Sequence, residues 1–338
     1  MRLAFFLVLC LSASLSFAQK VPRQPYFRHQ AADAQGRAVT YYLSEPAPGE
    51  PAEIPLVVYV QGSGWSSHFI QSSDGRIVGA NGHSSIADVV RGKARLMLIE
   101  KPGVNYLEAS SEPGGPEAFR KAFTADRWGD TVRAAVGKYL KEHPKTSRLL
   151  VAGHSEGGLI AAMLATVLEV PATHLAILAG GGPSQLFDLI TLARRGDFFA
   201  SISDDPEKRV QHVLAEWDKI TKDPGSHEKL FFGHTYQRWF SFLARSVNEL
   251  ADLTLAKVMI VQGGMDRAVD PASADALYAT LLSGNRRPNY LRIDRADHSF
   301  NRSDKPKDFD GWSEVWRQVI AWFLTEPPAK SAQKTGPK

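Results

Sequence analysis

The sequence predicts an α/β protein built on a mostly parallel sheet, and two observations carry that prediction. Short apolar runs rich in β-branched residues alternate with longer segments of helical period, which is the pattern of parallel strands joined by crossover helices. Each predicted strand is also almost continuously apolar, as expected where a strand is buried on both faces. The predicted strands are residues 55–61, 94–100, 148–153, 174–180, 257–263 and 289–294.

Helices are predicted between these strands, and a hairpin is predicted before them. The helical segments are about 84–92, 126–142, 156–169, 271–283 and 311–325. Two earlier runs, 26–32 and 38–45, flank the turn sequence DAQGR and predict an antiparallel hairpin.

The interval 184–253 breaks this alternation, because about seventy residues separate two predicted strands there. The segment is helix-like and unusually rich in aromatic residues. A connection of that length without secondary structure is uncommon in a compact domain. A helical insertion packed over the sheet is therefore predicted.

The N-terminus has the layout of a secretory signal peptide. Arg2 is followed by an apolar stretch and then by the small-residue site Ser16-Phe17-Ala18, so residues 1–18 form the predicted signal peptide, with cleavage after Ala18. A membrane anchor is the alternative, but the apolar stretch is shorter than the roughly 20 residues that span a bilayer. The protein is expected to be exported, either periplasmic or secreted, with no membrane anchor after cleavage.

The mature chain would contain no cysteine, because the single cysteine, Cys10, lies within the predicted signal peptide. Disulfides, zinc–thiolate sites and cysteine nucleophiles would then be excluded. The net charge is only +4 and the basic residues are scattered, so no nucleic-acid partner is expected. One folded domain is predicted over 19–325, followed by a proline- and lysine-rich tail, 326–338, that is predicted to be disordered.

The motif Gly153-His154-Ser155-Glu156-Gly157 is the strongest functional signal. It matches G-x-S-x-G, and it lies between a predicted buried strand and an apolar helix, which is the strand–turn–helix setting of a nucleophile elbow. The glycines would avoid clashes in the tight turn, and the N-terminal end of the helix would favour negative charge developing at the serine. The alternative is a glycine-rich crossover with an inert serine.

A serine nucleophile needs a base, and the base needs an orienting carboxylate. Such residues are expected in the chain order Ser, Asp, His. Asp266 follows one buried strand and His298 follows the next, so both are predicted at the same edge of the sheet as Ser155. Asp270, Asp294 and Asp297 remain alternative acids.

An oxyanion hole requires backbone donors that face the developing negative charge. One donor is expected to be the amide of Glu156, directly after the nucleophile, and its side chain is given no role. The other is expected to be the amide of Ser63 in the loop QGSGWS, where Gly62 and Gly64 would let it turn inward.

Two rival kinds of site find little support. The QGSGWS loop resembles half of a dinucleotide-binding fingerprint, but Ser67 replaces the third glycine and no acidic residue closes a strand at a suitable distance. The segment HEKLFFGH, residues 227–234, fits H-E-x-x-H only superficially, because Phe231 stands where the second histidine is needed. Neither a cofactor nor a metal is expected.

Taken together, the segments QGSG, GHSEGG, GGMDRAVDP and DHSF resemble the sequence motifs of the α/β-hydrolase superfamily, and they occur along the chain in the same order as in that family. The sequence GHSEGG before a helical insertion is similar to bacterial exported esterases and to their prolyl-oligopeptidase-like relatives. The resemblance implies an eight-stranded, mostly parallel sheet flanked by helices, with a helical cap at about 184–253. It also implies a triad of Ser155, Asp266 and His298. Many members have His-Gly where this chain has Gln61-Gly62.

The predicted function is hydrolysis of a small-molecule carboxylic ester through an acyl-enzyme intermediate. One alternative is a prolyl-oligopeptidase-like peptidase with the same triad. Such peptidases usually have an additional propeller domain, and this sequence contains no repeats of the kind that form one. Another is a non-catalytic binding protein of the same fold. Aromatic side chains are expected to line an apolar substrate pocket, and the candidates are Trp65, Tyr106, Trp239 and Phe240.

Overall fold

The computed structural model describes residues 18–51 and 53–325. The strands of these residues are β1 (Gln19–Lys20), β2 (Tyr26–Ala32), β3 (Ala38–Ser44), β4 (Leu56–Val60), β5 (Phe69–Gln71), β6 (Ile77–Gly79), β7 (Arg95–Ile99), β8 (Leu149–His154), β9 (His174–Leu178), β10 (Leu230–Phe231), β11 (His234–Thr235), β12 (Lys257–Gly263) and β13 (Asn289–Ile293). The helices are α1 (His83–Val90), α2 (Glu117–Ala122), α3 (Ala125–Glu142), α4 (Gly157–Val167), α5 (Gln185–Arg195), α6 (Pro206–Lys222), α7 (Tyr236–Leu243), α8 (Val247–Leu253), α9 (Pro271–Ser283) and α10 (Gly311–Thr325).

The central sheet has the strand order β1-β2-β3-β7-β4-β8-β9-β12-β13. From β7 to β13 all neighbours are parallel, whereas β1, β2 and β3 form an antiparallel edge. Each of the six predicted strands is present within one or two residues of its expected bounds, and the predicted hairpin is β2–β3. The sheet comprises the eight expected strands and the two-residue β1 at its edge.

Two apolar cores cover the two faces of the sheet. In β4 all five residues are buried, and successive side chains enter opposite cores: Val58 belongs to the core that contains residues of α3, α4, α8 and α9, whereas Val57 belongs to the core that contains residues of α1 and α10. This two-sided burial explains the unbroken apolar runs of the inner strands. The prediction of such burial was wrong for β13, which is the last strand of the sheet and has no buried residue. The prediction of an α/β-hydrolase type of sheet flanked by helices is confirmed.

The predicted insertion consists of α5, α6, the short β10–β11 hairpin, α7 and α8. We call residues 184–253 the cap. The cap has a small core of its own, formed by Leu189, Val213, Ile220, Phe231 and Trp239 among others. Most of the aromatic residues of this segment therefore pack within the cap.

Helix α2, the edge strand β1 and the hairpins β5–β6 and β10–β11 were not predicted. Each consists of runs of two to six residues, which are too short to show a hydrophobic period. Apart from Ala18, the predicted signal peptide lies outside the described residues, as does the predicted tail 326–338. Within the described ranges, no helix combines the length and the apolarity needed to cross a bilayer.

Candidate active site

Ser155 lies on a tight turn between β8 and α4. Its φ is 55°, in the left-handed region that non-glycine residues seldom adopt. A Cβ on Gly153 would lie 2.1 Å from the Gly157 carbonyl oxygen, and a Cβ on Gly157 would lie 2.3 Å from that of Val60. Both positions of the motif therefore require glycine, because strand, turn and helix approach one another closely.

His298 is hydrogen-bonded to Asp266. The Nδ1 atom of His298 lies 2.8 Å from Asp266 Oδ2, and the aspartate side chain is fully buried at the end of β12. Burial alone would raise the pKa of Asp266, but the hydrogen bonds from His298 and from the Val269 and Ala268 amides lower it below its ordinary value. A buried anion thus holds one nitrogen of the imidazole.

The three alternative acids have other partners. Asp270 accepts a hydrogen bond from the Ala272 amide at the start of α9. Asp297 accepts hydrogen bonds from the amides that follow it, and Asp294 lies beside Arg295 on the surface. Among the four candidate carboxyl groups, only that of Asp266 is hydrogen-bonded to the His298 ring.

Ser155 and His298 line one cavity of about 250 Å³ between the sheet and the cap. In the described structure the Ser155 hydroxyl makes no hydrogen bond to His298, and such contacts often tighten only when substrate binds. The cap supplies more than half of the lining. The lining residues are Ser63, Ser155, Glu156, Gly180, Gln185, Asp188, Leu189, Phe198, Phe232, His234, Arg238, Trp239, Ala268, Val269 and His298.

The loop predicted to contribute an oxyanion donor lies against Ser155. A Cβ on Gly62 would be 3.0 Å from Ser155 Cβ, and Ser63 lines the same cavity as Ser155 and Glu156. The two residues predicted to donate backbone amides are therefore neighbours of the serine from two sides.

Of the four aromatic candidates, only Trp239 lines this cavity. Trp65 donates its indole N–H to the Ser110 carbonyl, and Phe240 is partly exposed and stacks on Trp217. Tyr106 lies under the Arg28 guanidinium, 4.4 Å from the ring centroid, against the opposite core. These three side chains hold other elements together rather than forming the wall beside Ser155.

His154, within the elbow motif, packs against His298. Its ring is 4.8 Å from that of His298, and its Nε2 lies 3.0 Å from the His298 carbonyl oxygen. Burial lowers the pKa of His154 to about 4, so it is neutral at neutral pH. Its hydrogen bond to the backbone helps to hold the loop that carries His298.

Charged residues at the site were the main feature that the sequence did not reveal. The side chain of Glu156 is buried and forms ion pairs with Lys101 and Arg238. Asp188 of α5 lies in the cavity wall. Within the described residues, no group of three acidic, histidine or cysteine side chains could hold a metal ion. The available hint was a charged residue between a predicted buried strand and an apolar helix, because a charge close to the core needs a partner.

Comparison with known proteins agrees with this geometry. A model of the family described as serine aminopeptidase, S33, matches residues 122–299, which is more than half of the chain and includes Ser155, Asp266 and His298. A search of curated proteins found no match.

Solved structures share the fold at low sequence identity. An acylaminoacyl peptidase of Pyrococcus horikoshii matches 94% of this chain and 44% of its own, with a TM-score of 0.58 and 10% identity. Est1E of Butyrivibrio proteoclasticus, solved with ferulic acid bound, matches 87% of this chain and 98% of its own, with a TM-score of 0.58 and 17% identity. A puromycin-hydrolysing peptidase of Mycobacterium tuberculosis matches 90% of this chain and 40% of its own, with a TM-score of 0.54 and 16% identity.

The chain thus spans less than half the length of these two peptidases and nearly the full length of Est1E. At such identities the likeness concerns the fold alone. The family match covers the elbow, the cap and both later strands, and the chain therefore belongs to the serine aminopeptidase S33 family of α/β-hydrolases, as a serine hydrolase.

Proposed function

We propose that the protein hydrolyses small carboxylic esters through an acyl-enzyme on Ser155. The observation that carries this proposal is the pairing of His298 with the buried Asp266 beside a cavity that also holds the strained Ser155. Because Asp266 holds Nδ1, the other ring nitrogen of His298 is left to act as a base.

The reaction then runs in two halves. His298 takes the Ser155 hydroxyl proton while Oγ bonds to the ester carbon, and the carbonyl electron pair moves onto oxygen, where the Ser63 and Glu156 amides stabilise it. Collapse of this intermediate breaks the bond to the alcohol, which leaves with the proton from His298. In the second half, His298 takes a proton from water while the water oxygen attacks the acyl carbon. The bond to Ser155 Oγ then breaks, Oγ takes the proton from His298, and the carboxylic acid is released.

The size and lining of the cavity favour a short acyl group. A volume of about 250 Å³ is small for a ligand site, and its apolar wall is formed by Leu189, Phe198, Phe232 and Trp239. Burial of an acyl chain against these side chains supplies binding energy without a charged partner. We expect acetyl to butyryl esters to be better substrates than octanoyl esters.

One observation favours an aminopeptidase as the second candidate. Asp188 lines the same cavity, where its carboxyl group could pair with the cationic amine of an aminoacyl substrate. The description of the matching family points the same way. The triad chemistry would be unchanged, because an amide and an ester pass through the same kind of tetrahedral intermediate.

We also propose that the protein acts after export, without a membrane anchor. This rests on the sequence pattern of residues 1–18, with its single positive charge, short apolar stretch and small-residue cleavage site. Mass spectrometry of the protein recovered outside the cytoplasm should show an N-terminus at Gln19. Recovery of the intact N-terminus in a membrane fraction would contradict this proposal.

A substrate panel tests the reaction. The full chain is assayed against p-nitrophenyl esters of two to eight acyl carbons and against aminoacyl p-nitroanilides, with a fluorophosphonate to label the nucleophile. We expect ester turnover that decreases with acyl length, and a loss of at least about 10⁴-fold in kcat for Ser155→Ala. Ser283→Ala, which alters an exposed serine at the end of α9, serves as the control.

The outcomes separate the candidate functions. Cleavage of anilides without cleavage of esters would promote the aminopeptidase. Activity that survives in Ser155→Ala would reject the nucleophile. No turnover of either substrate class, together with no labelling by the fluorophosphonate, would favour a non-catalytic binding protein.

A further inference from the structure

Lys101 is a buried cation close to the proposed oxyanion hole. It is the second residue after β7, and its side chain is fully enclosed, with Nζ 5.0 Å from the centre of the Phe123 ring and 4.5 Å from that of Trp128. Burial lowers the pKa of Lys101 and Glu156 opposes that shift. A charge in such a place is costly unless each of its donors has a partner.

All three donors of the Lys101 ammonium are used. Its Nζ lies 2.6 Å from the Gly62 carbonyl oxygen, 2.9 Å from that of Gly64, and 2.9 Å from Glu156 Oε1. The sheet order explains this meeting, since β7, β4 and β8 are adjacent parallel strands and their carboxyl ends lie at one edge. Lys101 follows β7, the glycines follow β4, and Glu156 follows β8.

Glu156 is held in its charged form by two cations. Burial would raise its pKa, but Lys101, Arg238 and His234 lower it to about 2. Its second oxygen, Oε2, accepts from the Arg238 guanidinium, which comes from α7 of the cap. The carboxylate therefore ties the elbow to the oxyanion loop on one side and to the cap on the other.

The bond to Gly62 sets the direction of the Ser63 amide. The Gly62 carbonyl and the Ser63 N–H belong to one peptide unit, and in a trans peptide these two groups point in opposite directions. The described residues contain no cis peptide. Because the Gly62 carbonyl accepts from Lys101, the Ser63 N–H of the same peptide unit points away from the lysine. The hydrogen bond from Lys101 to the Gly64 carbonyl holds the turn that follows Ser63.

We infer that Lys101 is a positioning residue that holds the two oxyanion donors, the amides of Ser63 and Glu156, in a fixed relation to each other. It does so without contacting substrate, through the carbonyls of the oxyanion loop and the side chain of Glu156. This inference rests on the proposed function, because it assigns Lys101 to the hydrolytic reaction of Ser155. An ammonium with three divergent donors suits the three acceptors, whereas a planar guanidinium would not.

Lys101→Met is the first test, since it removes the ammonium and keeps an unbranched side chain. We expect kcat to fall about 10- to 100-fold with KM within threefold, because the donors stabilise charge that exists only in the transition state. The rate of fluorophosphonate labelling should fall in parallel.

Two further variants control for loss of a buried ion pair and for loss of stability. Arg238→Met removes the other partner of Glu156 without a contact to the oxyanion loop, so we expect its main effect on KM. Val319→Ala leaves a cavity in the core on the opposite face and should keep kcat within about twofold.

A chemical rescue keeps the test valid if Lys101→Met folds poorly. Lys101→Cys is alkylated in the unfolded state with 2-bromoethylamine, which rebuilds a lysine isostere, or with 1-iodopropane, which gives a neutral group of similar length. The single natural cysteine, Cys10, reacts equally in both samples. After refolding, we expect kcat to return in the aminoethyl form alone.

The results distinguish the two proposals. Equal kcat in the aminoethyl and propyl forms, or an equal kcat loss in Lys101→Met, Arg238→Met and Val319→Ala, would overturn the positioning role. If Lys101→Met keeps its kcat while Ser155→Ala is inactive, only the role of Lys101 is lost. Activity in Ser155→Ala would instead remove the proposed function.

Discussion

Asp266 is buried and its two oxygens accept four hydrogen bonds. Oδ1 accepts from the Ala268 and Val269 amides at 2.8 and 3.0 Å, and Oδ2 accepts from Gln262 Nε2 at 3.0 Å and from His298 at 2.8 Å. The carboxylate is thus fixed before substrate arrives, and it holds the imidazole in a single tautomer.

Replacing Asp266 by Asn should reverse that tautomer. The amide can donate to Nδ1, which leaves the proton on Nε2, where a base is needed. We expect kcat to fall by about 10³–10⁴, with little change in KM. The measurement is steady-state kinetics on a p-nitrophenyl ester.

Asp294→Asn is the matched control, because this exposed carboxylate was also an alternative acid in the sequence and has no contact with His298. Its kcat should stay within about twofold. A loss in Asp294→Asn as large as that in Asp266→Asn would contradict the assignment of the acid.

At the scale of the element, helix α5 of the cap brings Asp188 to the wall of the cavity. Asp188 Oδ1 accepts from Ser273 Oγ at 2.5 Å and from the Asp270 amide at 3.1 Å, so α5 is joined to the beginning of α9. Burial raises the pKa of Asp188 to about 7. We therefore expect the charge of Asp188 to change near neutral pH.

This charge should affect the binding of cationic substrates. Above pH 7 we expect an ester that carries a trimethylammonium group to have a KM about three- to tenfold lower than that of its neutral carbon isostere, because Asp188 is then ionised. The preference should weaken as pH falls to 6. Asp188→Asn keeps an acceptor for Ser273 and should remove both the preference and its pH dependence.

Asp204→Asn makes the same change of charge at an exposed position before α6 and should leave the preference intact. A preference that persists in Asp188→Asn would show that another group recognises the cation.

At the scale of the whole molecule, Glu100 lies where three parts of the fold meet. Its Oε1 accepts from Tyr42 OH of β3 at 2.7 Å, and from Ser67 Oγ at 2.5 Å and the His68 amide at 3.3 Å in the segment after β4. Burial raises the pKa of Glu100 to about 7, against the lowering effect of these hydrogen bonds.

A carboxyl group with a raised pKa stabilises the fold at low pH and ceases to do so as pH rises. The unfolded chain releases this proton near pH 4.5, and the folded protein releases it only near 7. Between these values the unfolding free energy should fall with pH, by on the order of 1–3 kcal/mol from this group. Glu100→Gln keeps the acceptor without the titration and should lose this contribution to the pH dependence.

Urea unfolding from pH 5 to 8 measures the effect, with Glu169→Gln, which alters an exposed glutamate, as the control. Parallel stability curves for Glu100→Gln and the unsubstituted protein would contradict the raised pKa.

Among the described residues, local pattern was sufficient for eight of the nine strands of the central sheet, for five of the six helices outside the cap and for the turn at Ser155. An unbroken apolar run such as 257–263 predicts a strand buried on both faces, because only that environment removes every side chain from water. The turn at Ser155 could also be predicted from the sequence. Gly153 and Gly157 are required by close backbone contacts that any protein with this turn would share.

The sequence by itself thus determined the α/β sheet, the elbow at Ser155 and the edge of the sheet where an acid and a histidine would meet. Only the tertiary structure decided that Asp266 pairs with His298, that Trp65, Tyr106 and Phe240 lie outside the cavity wall, and that Glu156 is buried between two cations. The reason is physical. Strands and turns follow from interactions between near neighbours, whereas contacts such as that of Arg238 with Glu156 join residues far apart in the chain and exist only once the cap has packed on the sheet.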